Sequence, residues 1–207
     1  MTITNGYATL DQFKALKDIS SNDAADDLYI EDLIERASRM IDSICGRWFY
    51  ADTQTRYYDV PVPASRELVL DADLLTVTTL TNGDDSVIAS TEYNLWPLNG
   101  YPKRSIKLKG SSVYYWAMDS AADIEGVITV AGTWGFVDRT ATDAVSARVI
   151  QNTQYAALNI AHMWYHDRFG RNSAGQTIVT PAGIIQTPAG AIPRSAWEAI
   201  KPYIERL

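Results

Sequence analysis

The sequence predicts an α+β fold: a helical core of three or four helices carrying an inserted, small antiparallel β domain. Three observations predict it. Apolar residues recur at helical spacing near both ends of the chain, over residues 30–44 and again over 145–165. Between them, residues 55–136 break into short runs rich in Val, Ile, Thr, Tyr and Trp, bounded by Gly, Pro, Asn and Asp. The 207 residues are 46% apolar and 21% charged, a globular balance with length enough for one domain or a core with a smaller insert.

Residues 1–54 are the N-terminal helical part of the core. Thr9 and Gln12 have the spacing of a capping box and open a short helix to about Leu16. Lys17 to Asn22 is a polar turn, after which Asn22 or Asp23 is expected to cap a longer helix. The stripe of that helix is Ile30, Leu33, Ile34, Ala37, Met40, Ile41 and Ile44. Asp26, Asp27, Glu31 and Asp32 crowd its start, where the macrodipole favours negative charge, and Arg36 and Arg39 follow. Gly46 stands where a left-handed C-cap belongs. Cys45 is the only cysteine, so it forms no intrachain disulfide and builds no structural zinc site alone. At the end of an apolar face it reads as a small buried side chain in a protein that tolerates a reducing cytosol.

Residues 55–136 form the β-rich insertion. Thr55 to Val60, Glu67 to Leu70, Val77 to Thr81 and Val87 to Ala89 read as strands, as do Tyr93 to Trp96, Ser105 to Leu108 and Gly126 to Ala131. Asn82-Gly83-Asp84-Asp85 is a hairpin signal, and Asp71-Ala72-Asp73 reads as a further turn. Pro61, Pro63, Pro97 and Pro102 punctuate the edges, where a missing backbone donor does no harm.

Residues 137–170 hold a long core helix from Thr142-Asp143 to Phe169, with Gly170 as its stop. Val145, Val149, Ala156, Ile160 and Met163 mark one face, and Ala157, Ala161, Trp164 and Tyr165 another, so the helix has contacts on two sides. Residues 171–192 are an extended loop or weak hairpin containing a short repeat, Thr180-Pro181-Ala182-Gly183-Ile184-Ile185 and Thr187-Pro188-Ala189-Gly190-Ala191-Ile192. Residues 193–207 are a C-terminal docking helix. Pro193 fits its first turn, and Pro202 kinks it or ends it early. Trp197, Ile200 and Ile204 share a face with Tyr203 beside it, and such a face must dock, on its own domain or on a partner.

Charge and motifs exclude more than they assign. The net charge is −7, and Lys and Arg are scattered without a basic face, so nucleic-acid binding is not expected as a primary function. No stretch of eighteen apolar residues suggests a membrane span, and Met1 to Leu10 lacks the pattern of a secretory signal. His162 and His166 stand at i and i+4, followed by Asp167, a partial metal set. Met163, however, sits where a His-Glu-x-x-His peptidase needs its glutamate, and spacing offers no third ligand. Gly132-Thr133-Trp134-Gly135 lacks the lysine and glycine spacing of a phosphate loop. The acidic run Asp23 to Asp32 lacks the alternation and central glycine of a calcium loop. No catalytic set, cofactor or metal is expected.

Several segments, in order, carry a resemblance. Tyr7-Ala8-Thr9-Leu10-Asp11-Gln12-Phe13-Lys14 comes first. Leu33-Ile34-Glu35-Arg36-Ala37-Ser38-Arg39-Met40-Ile41-Asp42 then leads into Cys45-Gly46-Arg47-Trp48-Phe49-Tyr50 and Thr55-Arg56-Tyr57-Tyr58-Asp59. Leu74 to Gly83, Tyr93-Asn94-Leu95-Trp96-Pro97, Val130-Ala131-Gly132-Thr133-Trp134-Gly135 and Lys201-Pro202-Tyr203 complete the set. Together they resemble the head–tail connector proteins of tailed bacteriophages, also called adaptor or head-completion proteins.

The resemblance implies a structural virion protein rather than an enzyme. It implies a homo-oligomeric ring of twelve copies at the head–tail junction, assembled in the host cytoplasm. Its partners would be the portal protein on one side and a stopper or tail-completion protein on the other, with DNA only as cargo and no membrane. Trp197, Ile200, Tyr203 and Ile204 become candidate portal anchors. Val149, Ala156, Ile160, Met163 and Trp164 become candidates for the subunit interface. Arg47 is expected to satisfy the terminal carbonyls of the preceding helix, and residues 171–192 match nothing obvious in the family. Two alternatives stand beside this reading. One is another ring component, a stopper or tail terminator; the other is a small metal-dependent hydrolase using His162, His166 and Asp167.

Overall fold

The computed structural model describes residues 3–61, 65–168, 177–180, 183–186 and 192–205. Among them are four α-helices, a short 3₁₀ turn, a five-stranded antiparallel sheet and a two-stranded hairpin, an α+β fold. The chain divides into two compact units: residues 1–46 with 147–207, and residues 47–146.

The first unit is helical. Helix α1 spans Leu10–Leu16 and opens with a complete capping box: Gln12 N–H donates to Thr9 Oγ1 at 3.2 Å, and Gln12 Oε1 accepts from Thr9 N–H at 2.9 Å. Helix α2 spans Asp27–Cys45, later than a cap at Asn22 or Asp23 would place it. The cause is Lys14. Its side chain is buried, and its ammonium donates to the carbonyls of Ser21 and Asp23 and pairs with Asp27 at 2.6 Å. The segment before Asp27 is thus wrapped around a cation, and its carbonyls are committed to that cation instead of to a helical turn. Gly46 ends α2 in the left-handed conformation, as its position predicts.

The buried stripe of α2 includes Ile30, Leu33, Ile34, Ala37, Ile41 and Cys45. Tyr7 covers one part of this helix: its N–H donates to Ser38 Oγ at 2.9 Å and its hydroxyl bonds Asp42. Helix α3 spans Ala144–Arg168. Asp143 Oδ1 accepts from the N–H groups of Val145 and Ser146, both at 3.0 Å, and so caps its start. Phe169 and the proposed stop at Gly170 lie outside the described residues. Ala156, Ala157, Ile160 and Ala161 are fully buried, and small side chains there allow close helix approach. Strands β6 (Thr177–Thr180) and β7 (Gly183–Gln186) pair as a hairpin within the segment read as an extended loop or weak hairpin. Helix α4 spans Arg194–Ile200 and passes into a 3₁₀ turn, Lys201–Tyr203. The change of helix type falls at Pro202, which has no N–H to continue an α-helix.

The second unit is the sheet. Its strands are β1 (Asp52–Tyr58), β2 (Glu67–Thr81), β3 (Tyr93–Trp96), β4 (Lys103–Leu108) and β5 (Ile128–Trp134), in the order β1-β5-β2-β4-β3. β2 is the organising element. Its first part pairs with β4 and its second with β5, with register shifts where it passes from one to the other.

Two sequence expectations change here. Asp71-Ala72-Asp73 is not a turn but the middle of β2, tolerated because it sits at the irregularity and because both carboxylates meet arginines. Val87 to Ala89 is not a strand of the sheet; after the Asn82–Asp85 turn the chain makes a single bridge, Thr81 to Val87. One face of the sheet closes over Leu68, Leu74, Leu80, Ile106, Ile128 and Val130, with Trp134 fully buried among them. At about 1.5–3 kcal/mol for each large apolar side chain removed from water, this cluster is the main stabilising term of the unit.

Candidate assembly surfaces

Arg47 is the first residue of the sheet unit. Its guanidinium packs on residues of that unit. It lies 4.8 Å over the Phe136 ring and 3.6 Å from Asp73, in a nearly buried site that Arg104 shares at 3.3 Å from the same carboxylate. The motif around it is therefore a structural clamp. Phe49 packs edge-on to Phe136 at 5.4 Å, and Phe136 N–H donates to the Trp48 carbonyl at 2.7 Å. Along β1 the strand alternation sorts Thr55-Arg56-Tyr57-Tyr58 into two roles. Arg56 and Tyr58 stack on Trp134, at 4.7 and 6.3 Å, and both bond Asp71. Tyr57 points away and is 68% exposed. Burial first, then the Asp71 carboxylate, raises the Tyr58 phenol far above its ordinary range and keeps it neutral.

Gly132 and Gly135 owe their places to close backbone approach. A Cβ on Gly132 would meet the Thr76 carbonyl oxygen at 2.2 Å, and one on Gly135 the Tyr50 carbonyl oxygen at 1.9 Å. Gly135 also has a φ of +138°.

Two of the exposed apolar surfaces bear on assembly. On the sheet unit, Val60, Tyr115, Trp116, Met118 and Ile124 line an open groove of about 800 Å³. Tyr115, Met118 and Ile124 are exposed, as is Val113 nearby in sequence. On the helical unit, α4 presents Trp197, 37% exposed, while Ile200 is fully buried. Tyr203 and Ile204 are half-buried, and Tyr203 accepts a hydrogen bond from Asn152 Nδ2 at 2.8 Å. The Glu205 N–H donates to the Cys45 carbonyl at 2.9 Å. The docking face read from the C-terminal sequence is thus used, at least at Ile200, by the chain's own helical unit. Of the helix positions read as interface candidates, Val149, Ala156 and Ile160 are buried, whereas Met163 and Trp164 keep some accessible surface.

His162 and His166 do come together, with Nε2 atoms 3.0 Å apart, but Asp167 is exposed and Lys17 Nζ lies 2.8 and 2.6 Å from the two rings. Burial, then the Lys17 charge and His166, hold the His162 imidazole below its ordinary range. Among the described residues no three His, Cys, Asp or Glu side chains are placed together to hold a metal ion. No described helix is long and apolar enough to cross a membrane.

Similarity to solved structures lies in the fold. All of this chain aligns with 94% of a chain in the neck of an empty gene transfer agent particle, computed with C6 symmetry, at a TM-score of 0.57 and 14% identity. In fold, the chain is similar to a chain of a gene transfer agent neck. The neck of the native particle, computed with C12 symmetry, gives a TM-score of 0.53 at 14% identity with the same coverage. The virion of the native particle gives 0.55 at 15%, again over all of this chain and 94% of the other. No family model matches the sequence. No curated protein matches it. The likeness to the neck chains includes both units, since it extends over the whole chain.

Proposed function

We propose that the chain is a structural subunit of the neck of a tailed phage or gene transfer agent particle. In this reading it is an adaptor, closing with its copies into a twelve-membered ring between the portal and the stopper or tail-completion protein. The observation that carries the proposal is the full-length similarity of fold to chains in necks reconstructed with C6 and C12 symmetry. The ordered sequence segments quoted above point the same way.

The physical features suit the task. A ring closes by repeating one head-to-tail contact, which needs two complementary surfaces on each subunit and no chemistry. The apolar groove of the sheet unit and the accessible part of α3 at Met163 and Trp164 are surfaces of the required kind. Trp197, 37% exposed on a helix that the buried Ile200 anchors, is the portal contact, since aromatic side chains commonly dominate interface energies. The net charge of −7 lowers attraction between a channel wall and the DNA that passes it.

The test is reconstitution. The purified chain is mixed with the portal protein of the same genome and imaged by electron cryomicroscopy. A ring of twelve copies seated on the portal is expected; a chain that stays unbound to the portal and is missing from the neck of purified particles would overturn the proposal.

A further inference from the structure

We propose that His162 and His166 form a binding site for a late transition-metal dication, zinc or its nickel and copper relatives, and that the Lys17 ammonium holds the ion's place in the metal-free chain. The observation is a convergence of three nitrogens. His162 Nε2 and His166 Nε2 are 3.0 Å apart, and Lys17 Nζ is 2.8 Å from the first and 2.6 Å from the second. The i,i+4 spacing puts both imidazoles on one face of α3, with ring centroids 4.5 Å apart.

An ammonium can donate to both Nε2 atoms only if both imidazoles are neutral and carry their protons on Nδ1. Two lone pairs then face a single cation. A metal ion makes the same demand: neutral imidazole nitrogens at about 2.0–2.1 Å. Two such ligands at a tetrahedral angle stand about 3.3 Å apart, so this pair has to open by only about 0.3 Å. The occupant now present is a single charge held through hydrogen bonds. A dication would form coordinate bonds to the same lone pairs, and the flexible Lys17 stem can swing its head into water without moving a helix.

Two imidazoles leave the remaining positions to water, so the ion is exchangeable, unlike one in a closed structural site. Affinity should follow the usual order, copper above nickel and zinc.

The chain has two histidines, so imidazole NMR signals report on this site alone. The untagged full chain, stripped with chelator, is titrated with zinc while the ¹H–¹⁵N imidazole correlations are followed. Both residues' signals should shift together and saturate at one ion per chain. His162→Asn or His166→Asn should weaken binding about tenfold or more with the far-ultraviolet circular dichroism unchanged. Lys17→Met, or Lys17→Gln if the first does not fold, should tighten binding severalfold because the competing ammonium is gone. Any one of four results overturns the proposal: no saturable binding, a shift of one imidazole without the other, binding that survives both histidine substitutions, or weaker binding when Lys17 is replaced.

Discussion

The Asn152 amide donates to the phenol oxygen of Tyr203 at 2.8 Å, tying the C-terminal segment to α3 within the helical unit. Together with the buried Ile200 and the Glu205-to-Cys45 backbone bond, it makes this segment part of the fold and not a free tail. Stability and attachment can therefore be separated by position.

Trp197→Ala is expected to leave the melting temperature within a few degrees of wild type and to weaken portal binding, because the ring is 37% exposed. Ile200→Ala, at a fully buried site, should cost about 2–5 kcal/mol of stability. Tyr203→Phe removes the hydroxyl that accepts from Asn152 and should cost about 1 kcal/mol. Thermal unfolding beside a portal pull-down reads all three. Loss of folding in Trp197→Ala would show that the ring serves the core.

The glycines of the Gly132-Thr133-Trp134-Gly135 segment make a sharper prediction. Gly135→Ala forces a Cβ to 1.9 Å from the Tyr50 carbonyl oxygen at a φ of +138°, and Gly132→Ala forces one to 2.2 Å from that of Thr76. Each should destabilise the sheet unit by at least about 2 kcal/mol. Gly110→Ala is the control, since nothing lies within 4 Å of its Cβ, and should change stability by less than about 1 kcal/mol. Protease susceptibility of the three variants would rank them. Equal resistance would mean that the backbone can relax around the added methyl.

What the sequence disclosed was what short-range chemistry decides. Thr9 with Gln12, and Gly46 after Cys45, act on groups within four residues, and each sits where its pattern places it. The errors share a different cause. Asp71-Ala72-Asp73 looks like a turn because the arginines that neutralise it, Arg47, Arg56 and Arg104, come from elsewhere in the chain. Helix α2 starts later than its caps suggest because Lys14, nine residues before Asp23, claims the carbonyls that a helix would use. The histidine pair was visible as spacing, but its third member, Lys17, lies 145 residues before His162. For Ile200 periodicity shows only that its face must dock, since a helical stripe does not reveal whether its cover is its own domain or another chain.

Arg47 was the residue whose role spacing could least assign, and its setting now predicts its variants. Its side chain and that of Asp73 are 8% and 7% exposed, and the guanidinium also covers Phe136. Arg47→Ala removes a buried cation from beside the Asp73 carboxylate, and should cost about 3 kcal/mol. Arg47→Lys keeps the charge but loses the planar stack, so it should recover only part of that stability. Denaturant unfolding of the two variants decides the matter. Full recovery by lysine would mean that charge alone, and not the stack on Phe136, holds the clamp.

Asp143 gives a prediction with a pH axis. Its carboxylate is exposed, and hydrogen bonding to Ser146, by side chain and then by backbone, holds its pKa below the ordinary 3.8. Asp138 is lowered by Thr140, through its backbone N–H and then its side chain. A group whose folded pKa lies below its unfolded one takes its proton first in the unfolded chain as the pH falls. Its contribution is therefore complete above pH 3.8 and is lost as the pH drops through the folded value. Asp143→Ala should lower the melting temperature by about 2–4 °C at pH 7, since the start of α3 loses its cap. Asp143→Asn can still accept from Val145 and Ser146, so it should keep most of the stability at pH 7 while removing this residue's share of the acid loss. Melting curves between pH 7 and pH 3 distinguish the two. An Asn variant with the same acid dependence as wild type would place the titrating charge elsewhere, at Asp138 first.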